Sequence, residues 1–518
     1  MSITPHTPDI ARIHLVVDQW AHTRPELPAL RDAFVALTYG ELAQASMRAA
    51  DQLSALGVRG GDRVLIVGEN CVAACAIILA LSRIDAWSCF VNARLSAREI
   101  DEFVAHSGAR RVLYTCHVSA NARDHAQRHG AEAMDWIGLG SLHVGPLAND
   151  VQTEPVRAEP GEQVAALVYT SGTSGMPKAV MLTHANLLFT ALWATHSRQL
   201  VPGDVLYGVL PMAHIIGLAS QFLGSMAGGA ALALASRFDV KEAARALAED
   251  GITLFTGVPA MFARLLEYAQ ASGSPIRAPM LRYISVGGSP LTPRLKADVE
   301  TAYGLTLHNG YGLTEVAPTI AQTRRDAPRA DCAVGQPITG VEVRIVDADG
   351  KPVPHGEIGE LHVRSPGVMK GYYRDPQRTA EVIDKDGWFN TGDMVRQSED
   401  DALHIVGRSK ELIIRSGFNV YPVEVEQVIN SHPAVVQSAV VGRTVDHNEE
   451  VVAFVELNRS VPAPEPDAFR AYLRARLSPY KVPCDIRFVE QMPMAPTGKL
   501  LKNVLKSMAQ DRNPAQQR

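Results

Sequence analysis

Between residues 60 and 310, short apolar runs rich in strand-forming residues alternate with stretches of helical periodicity. Strands separated by helices pair mainly in parallel and carry helices on their faces, so this alternation confines the chain to α/β architecture with layered, mostly parallel sheets. The pattern predicts strands at 63–67, 87–91, 164–169, 252–256 and 283–286, and a buried helix at 71–83. Ser96 and Glu99 have capping-box spacing, and Thr292 before Pro293 sets an N-cap ahead of a proline in the first helical position. From about residue 341 the texture changes. Asp349-Gly350, His355-Gly356 and Asp386-Gly387 mark turns between short strands, which predicts a small β-rich subdomain ending near 407. Beyond it, helical patterns at 423–430 and 467–477 mix with strands around a Pro-rich break at 461–466, as in a compact α+β domain. The expected organisation is therefore an N-terminal domain at 1–407 (its β-rich part about 340–407), a junction at 408–410 and a smaller C-terminal domain at 411–518.

At 518 residues the chain is too long for one ordinary core. With 46% hydrophobic and 20% charged residues, it is neither disordered nor fibrous. A net charge of −5 gives no electrostatic case for nucleic acid as a partner. The 6 cysteines form no Cys-x-x-Cys pair and sit in apolar stretches, which suits buried thiols in a reducing compartment and a cytoplasmic protein. Residues 1–31 hold no apolar block of the secretory type. The stretch 205–236 contains no Asp, Glu, Lys or Arg, yet Pro211, His214, Gly217 and Gly228-Gly229 interrupt it. It reads as strand, loop, helix and strand of a large core, so no transmembrane segment is expected. His125 and His129 have the i, i+4 spacing of a metal pair, but they lie in a charged stretch without a third ligand and read as a solvated helix.

Five segments carry candidate chemistry. Tyr169-Thr-Ser-Gly-Thr-Ser-Gly-Met-Pro-Lys178 follows a strand. Its glycines, Gly172 and Gly175, let backbone N–H groups approach an anion, Thr170, Ser171, Thr173 and Ser174 add hydroxyl donors, and Lys178 adds positive charge. No Gly-Lys-Ser/Thr follows the glycines, so it is not a Walker A loop. Taken alone, it could equally be a plain Ser/Gly turn. Asn309-Gly-Tyr-Gly-Leu-Thr-Glu315 offers a ring to stack on a base, a hydroxyl for a phosphate in Thr314, and oxygen ligands for Mg²⁺ in Glu315. Thr391-Gly-Asp393 offers a carboxylate for paired hydroxyls. Gly407-Arg-Ser-Lys-Glu411 with Ser416-Gly-Phe-Asn-Val-Tyr-Pro422, and Pro496-Thr-Gly-Lys499, complete the set. Each has a bland reading as a turn or a solvated charge.

In this order, the segments resemble the adenylate-forming superfamily of acyl-CoA synthetases, firefly luciferase and nonribosomal-peptide adenylation domains, from about residue 10 to 506. Two positions depart from its usual pattern. Ser174 stands where a second threonine is usual, and Ala179 where glycine is usual; if the backbone at 179 needs a positive φ, alanine costs about 1 kcal/mol. The resemblance implies ATP, Mg²⁺ and coenzyme A as co-reactants and a small-molecule carboxylic acid as substrate. The carboxylate would attack the α-phosphate of ATP to give an acyl-adenylate and pyrophosphate, and a thiol would then displace AMP. It places Asn309, Gly310, Tyr311 and Gly312 at adenine, with Gly287, Gly288 and Ser289 on its other face. Thr314 falls at the α-phosphate, Glu315 at Mg²⁺, Asp393 and Arg408 at the ribose, and Lys499 between carboxylate and phosphate. Lys410 falls at a hinge whose rotation withdraws Lys499 and brings Gly417 to the thiol's tunnel. His214 matches a position that gates the acyl pocket, against a plain reading as a bonded core histidine.

The stretches expected to form that pocket, 212–218, 255–259, 287–290 and Gly310, carry no charged side chain, and Gly310 leaves room. A dianionic acid would need a basic partner they lack. A medium- or long-chain fatty acid is therefore expected, or an aromatic acid. Coenzyme A is the expected acceptor, with loading of a carrier protein as the alternative. An amino-acid-loading enzyme would want an acidic residue in the pocket, a scaffold protein would not keep Glu315, Asp393 and Lys499, and a luciferase-like oxidase shares the first half-reaction. A homodimer is compatible with the sequence.

Overall fold

The computed structural model describes residues 10–170, 178–416, 418–445, 448–458, 461–494 and 500–511. Two large sheets organise the first three-quarters of the chain. One has nine strands, running from Gln336–Pro337 through Thr319–Gln322, Leu307–Gly312, Tyr283–Val286, Leu254–Gly257, Val205–Gly208 and Ala231–Leu234 to Pro28–Arg31 and Ala36–Thr38. The other has eight, with Arg63–Gly68, Trp87–Asn92 and Val164–Thr170 at its centre. Central pairs are parallel, but both sheets carry antiparallel margins such as Val164–Thr170 with Lys178–Thr183 and Leu307–Gly312 with Thr319–Gln322. Short local hairpin connections allow these pairings, where a parallel pair would need a long crossover.

Side-chain alternation shows both sheets covered on both faces. Along Arg63–Gly68, Val64 and Ile66 enter the core between the sheets, and Leu65 and Val67 enter an outer core. Along Tyr283–Val286, Tyr283 faces the inner core, and Ile284 and Val286 face a third, with Phe255. The helix Val72–Arg83 is buried from Val72 to Ser82 because it lies in the inter-sheet layer, which accounts for its lack of a polar face. Capping boxes at Ser96 and Thr38, and the Thr292 cap, fix other helix starts.

Residues 205–236 form the strand Val205–Gly208, the π-helix Ile216–Leu223, a short α-turn and the strand Ala231–Leu234, all inside the protein. Among the described residues no helix is long and apolar enough to cross a membrane. A four-stranded antiparallel sheet of Glu342–Val346, Ile358–Arg364, Phe389–Gln397 and Leu403–Arg408 is the β-rich part. The C-terminal portion packs Pro422–Asn430, Pro466–Arg474 and Lys502–Gln510 against the three strands Val435–Val445, Asn448–Leu457 and Asp485–Val489.

His125 corrects the solvated-helix reading. It is buried, and its Nε2 meets the carbonyls of Ala93 (3.0 Å) and Leu95 (3.1 Å), while His129 bonds Asp101 at 2.8 Å. Among the described residues no cluster of three or more His, Cys, Asp or Glu side chains could hold a metal ion. Cys71, Cys75, Cys89 and Cys116 are buried thiols, and burial pushes Cys71 up to about 12.

Candidate active site

Thr170 and Lys178 are partners in register on the two antiparallel strands of a hairpin, on either side of the glycine-rich segment in sequence. Ser171, Gly172, Thr173, Ser174 and Gly175 lie outside the described residues, as do Gly417 and Lys499. Lys178 is described. Its Nζ sits 4.9 Å from the centre of the Tyr372 ring, and the Tyr372 hydroxyl donates to Glu315 Oε1 at 2.9 Å. Burial lowers the Lys178 pKa, as do the charges of Arg378 and Lys410, while Glu315 opposes them. The hairpin, the Thr314–Glu315 turn and the exposed Lys410 therefore share one electrostatic neighbourhood. Tyr372 joins two of them, and nothing in its local sequence marked it.

The strand Leu307–Gly312 delivers Asn309, Gly310, Tyr311 and Gly312 and leads into the 3₁₀ turn Thr314–Val316. A Cβ on Gly312 would stand 1.9 Å from the Pro318 carbonyl oxygen, so only glycine lets the chain fold back here. Asn309 is buried, and its Nδ2 donates to the Cys332 carbonyl at 3.0 Å, which fixes the end of the strand. Just past the neighbouring strand Tyr283–Val286, Gly287 approaches the Gly310 carbonyl, where a Cβ would be 3.2 Å away. Gly288 follows at φ 79°, in the left-handed region glycine occupies freely. Ser289 beside it is half-buried.

Asp393 is 3% exposed. Tyr311 donates to its Oδ2 at 2.5 Å, and Arg408, its register partner on the adjacent strand, donates from Nε to Oδ1 at 3.0 Å. Burial raises the Asp393 pKa although Arg408 and Tyr311 oppose the shift. Burial also raises Tyr311, which stays a donor at neutral pH. Tyr311 and Asp393, 82 positions apart along the chain, thus meet at one carboxylate. Glu315 is the carboxylate on the side of Lys178. Its oxygens are of the kind that would hold a hard cation such as Mg²⁺.

His214 is half-buried in the turn before the π-helix, its N–H bonded to Pro211 and its carbonyl to the Leu218 N–H, both at 3.0 Å. Ala179 has no positive φ. It lies in the strand Lys178–Thr183 opposite Tyr169, so the departure there carries no backbone strain. Arg198, from the end of the helix His184–Arg198, donates to the Ser220 carbonyl and hydroxyl of the π-helix, each at 2.6 Å.

The family model "AMP-binding enzyme" matches residues 17–373, and "AMP-binding enzyme C-terminal domain" matches 424–499. A feruloyl-CoA synthase of Amycolatopsis sp. is 34% identical over 487 residues, covering 93% of this chain and 96% of the relative. A 2-succinylbenzoate–CoA ligase of Geobacillus kaustophilus is 34% identical over 494 residues, covering 95% and 96%. The ATP-bound crystal structure of MatB from Rhodopseudomonas palustris superposes with a TM-score of 0.83 at 29% identity, covering 96% of this chain and 99% of that one. The chain belongs to the AMP-binding enzyme family. Within that family it is an AMP-forming acid–thiol ligase.

Proposed function

We propose that the chain joins an aromatic carboxylic acid to coenzyme A through an acyl-adenylate, releasing pyrophosphate and then AMP. The observation that carries this reading is the buried Asp393 carboxylate, held by Tyr311 and Arg408 beside the close approach of Gly287 to Gly310. A carboxylate with both oxygens oriented suits the two hydroxyls of a ribose, and the glycine backbone leaves a flat slot for adenine. Attack of an acid anion on a polyphosphate needs charge neutralisation before proton transfer. In this reading Lys178 and Lys410 would face the phosphates, with Thr314 and Glu315 flanking them, and the hydroxyls and backbone of 170–175 would add donors. Mg²⁺ held by Glu315 would supply a Lewis acid for the phosphate oxygens. Lys499 would visit the reacting centre in the first half-reaction and leave as 411–518 rotates about Lys410, with His214 gating the acyl pocket and Gly417 nearing the thiol.

An aromatic acid fits better than a long fatty acid because the π-helix wall turns polar within one turn. Ser220 and Gln221 follow Ile216 and Leu218 along the π-helix, which breaks its apolar run where a long hydrocarbon would want a continuous one. Two similar relatives are also named for aromatic acids. The test is a panel of aromatic and C8–C16 aliphatic acids incubated with ATP, Mg²⁺ and coenzyme A, reading pyrophosphate release with and without the thiol. Aromatic acids should lead, with thioester formed. Turnover confined to long aliphatic acids would reject the substrate class, and release without any thioester would redirect the reading to carrier-protein loading.

A further inference from the structure

Lys499 lies outside the described residues, but both arms of chain that lead to it are described. On the entering arm, the buried Met492 gives its N–H to Glu456 Oε2 at 3.0 Å, and the same oxygen accepts from Gln437 Nε2 at 2.8 Å. The arms meet in an antiparallel bridge of Met494 with Leu500, and the Leu501 N–H donates to the Pro493 carbonyl at 2.9 Å. On the leaving arm the helix Lys502–Gln510 begins at once, with Leu505 and Ala509 in one apolar cluster with Met492. Lys502 precedes Leu505 by three positions, so it shares that inner face.

A cation in the first turn of a helix is disfavoured by the macrodipole. Two carboxylates hold Lys502 there. Its Nζ donates to Glu411 Oε2 at 2.8 Å and lies 3.0 Å from Glu426 Oε1. The Glu426 side chain is 9% exposed, and its Oε1 also accepts the Val440 N–H at 2.8 Å, so the strand Val435–Val445 fixes it in turn. Burial opposes the ammonium's charge, but Glu426 and Glu411 outweigh it and raise the Lys502 pKa, which keeps the three charges together at neutral pH. A lone exposed pair would fix little, whereas one shielded ammonium shared by two carboxylates fixes a position.

Glu411 ends the 3₁₀ turn Ser409–Glu411, directly after Lys410. The same turn is anchored to the nucleotide side, through the Ser409 hydroxyl to the Gly392 carbonyl at 3.1 Å and through Arg408 to Asp393. Lys502 therefore ties the root of the Lys499 arm to the residue beside the pivot. A point beside a pivot moves least when a domain turns, so this tie sets the reach and the direction of the arm.

We infer that Lys502 is a positioning residue for the first half-reaction: bridging Glu411 and Glu426, it holds the arm at the reach and angle that Lys499 needs to meet the carboxylate and the α-phosphate. The inference rests on the proposed role of Lys499 and adds to it the group that aims it. A tie that only held the C-terminal portion together would affect both half-reactions alike. A positioning tie affects the half-reaction in which Lys499 is present and spares the one from which it is withdrawn.

The experiment measures the half-reactions separately in the full-length enzyme: single-turnover acyl-adenylate formation from ATP, Mg²⁺ and a preferred acid, and thioester formation from synthetic acyl-adenylate and coenzyme A. Lys502→Met should slow adenylation by about 10- to 100-fold, since a displacement near 1 Å suffices for a loss of that order, with the KM for ATP and thioester formation within about threefold of the unaltered enzyme. Lys502→Arg, whose guanidinium can bridge two carboxylates, should restore most of the rate. Glu411→Gln should slow adenylation to an intermediate degree. Unchanged adenylation in Lys502→Met, or equal losses in both half-reactions of the folded variant, overturns the inference. If Lys502→Met does not fold, Glu411→Gln decides by the same comparison of the two half-reactions. Lys499→Ala separates the two claims: full adenylation in that variant would remove the role of Lys499 itself, while its loss alongside unimpaired Lys502→Met would remove only the positioning role.

Discussion

Replacing Asp393 with asparagine keeps the side chain's shape and removes the charge that should orient the ribose. Asp393 presents two acceptor oxygens, one bonded by Tyr311 and one by Arg408. The amide presents one acceptor and one donor, so the charge is lost and one side faces a hydroxyl with the wrong polarity. A hydrogen bond to a charged group contributes about 1.5–3 kcal/mol, and the inverted contact adds a desolvated, unmatched donor, so a loss of about 2–4 kcal/mol is expected. That corresponds to roughly 30- to 1000-fold weaker ATP. Global stability should change little, because the Arg408 side chain is 41% exposed and water can take up its charge. Calorimetric titration with ATP at pH 8, alongside a urea unfolding curve, measures both. The pH dependence adds a second reading. Burial raises the Asp393 pKa, so its proton is taken up above the usual carboxylate range. ATP affinity should therefore fall in that range on acidification, and this component should be missing in Asp393→Asn. An ATP affinity within threefold of the unaltered protein, in a folded variant, would refute the assignment.

Tyr372→Phe keeps the ring beneath Lys178 and removes the bond to Glu315, so adenylation should slow by about three- to tenfold, near 1 kcal/mol; Tyr372→Ala should cost more, and equal rates in all three proteins would dismiss the link. Gly312→Ala forces a methyl to 1.9 Å from the Pro318 oxygen, and the urea midpoint should drop by an amount equivalent to about 1–3 kcal/mol; an unshifted midpoint would contradict that close approach. Ala179→Gly restores the residue usual in relatives, but the strand geometry gives glycine no advantage, so stability should fall by about 0.5–1 kcal/mol with ATP affinity unchanged. Tighter ATP binding would show that the departure at 179 matters after all.

Much of the fold was legible because both large sheets are covered on both faces, which leaves apolar strands and a wholly apolar helix in the sequence. The strand expected at 252–256 begins at Leu254 because Thr253 precedes it, bonding Asp204 and the Val205 N–H through its hydroxyl. The antiparallel margins were not anticipated, since strand patterns do not report direction. His125 was misread because its charged neighbours in sequence face water while its own ring turns inward to Ala93 and Leu95. The meeting of Tyr311, Asp393 and Arg408 was legible only as ordered motifs. Their contact depends on the β-rich sheet folding against the end of Leu307–Gly312. The Arg198–Ser220 contact was not legible, because it arises only from the packing of His184–Arg198 against the π-helix. Tyr372 was invisible for the same reason.

The most direct measurement mixes the enzyme with ATP, Mg²⁺ and a preferred aromatic acid, without thiol, and identifies the enzyme-bound product by mass spectrometry. Acyl-adenylate approaching one equivalent per chain is expected, disappearing into AMP and thioester when coenzyme A is added. Formation of ADP and phosphate, or no adenylate with any acid in the panel, would contradict the adenylate route.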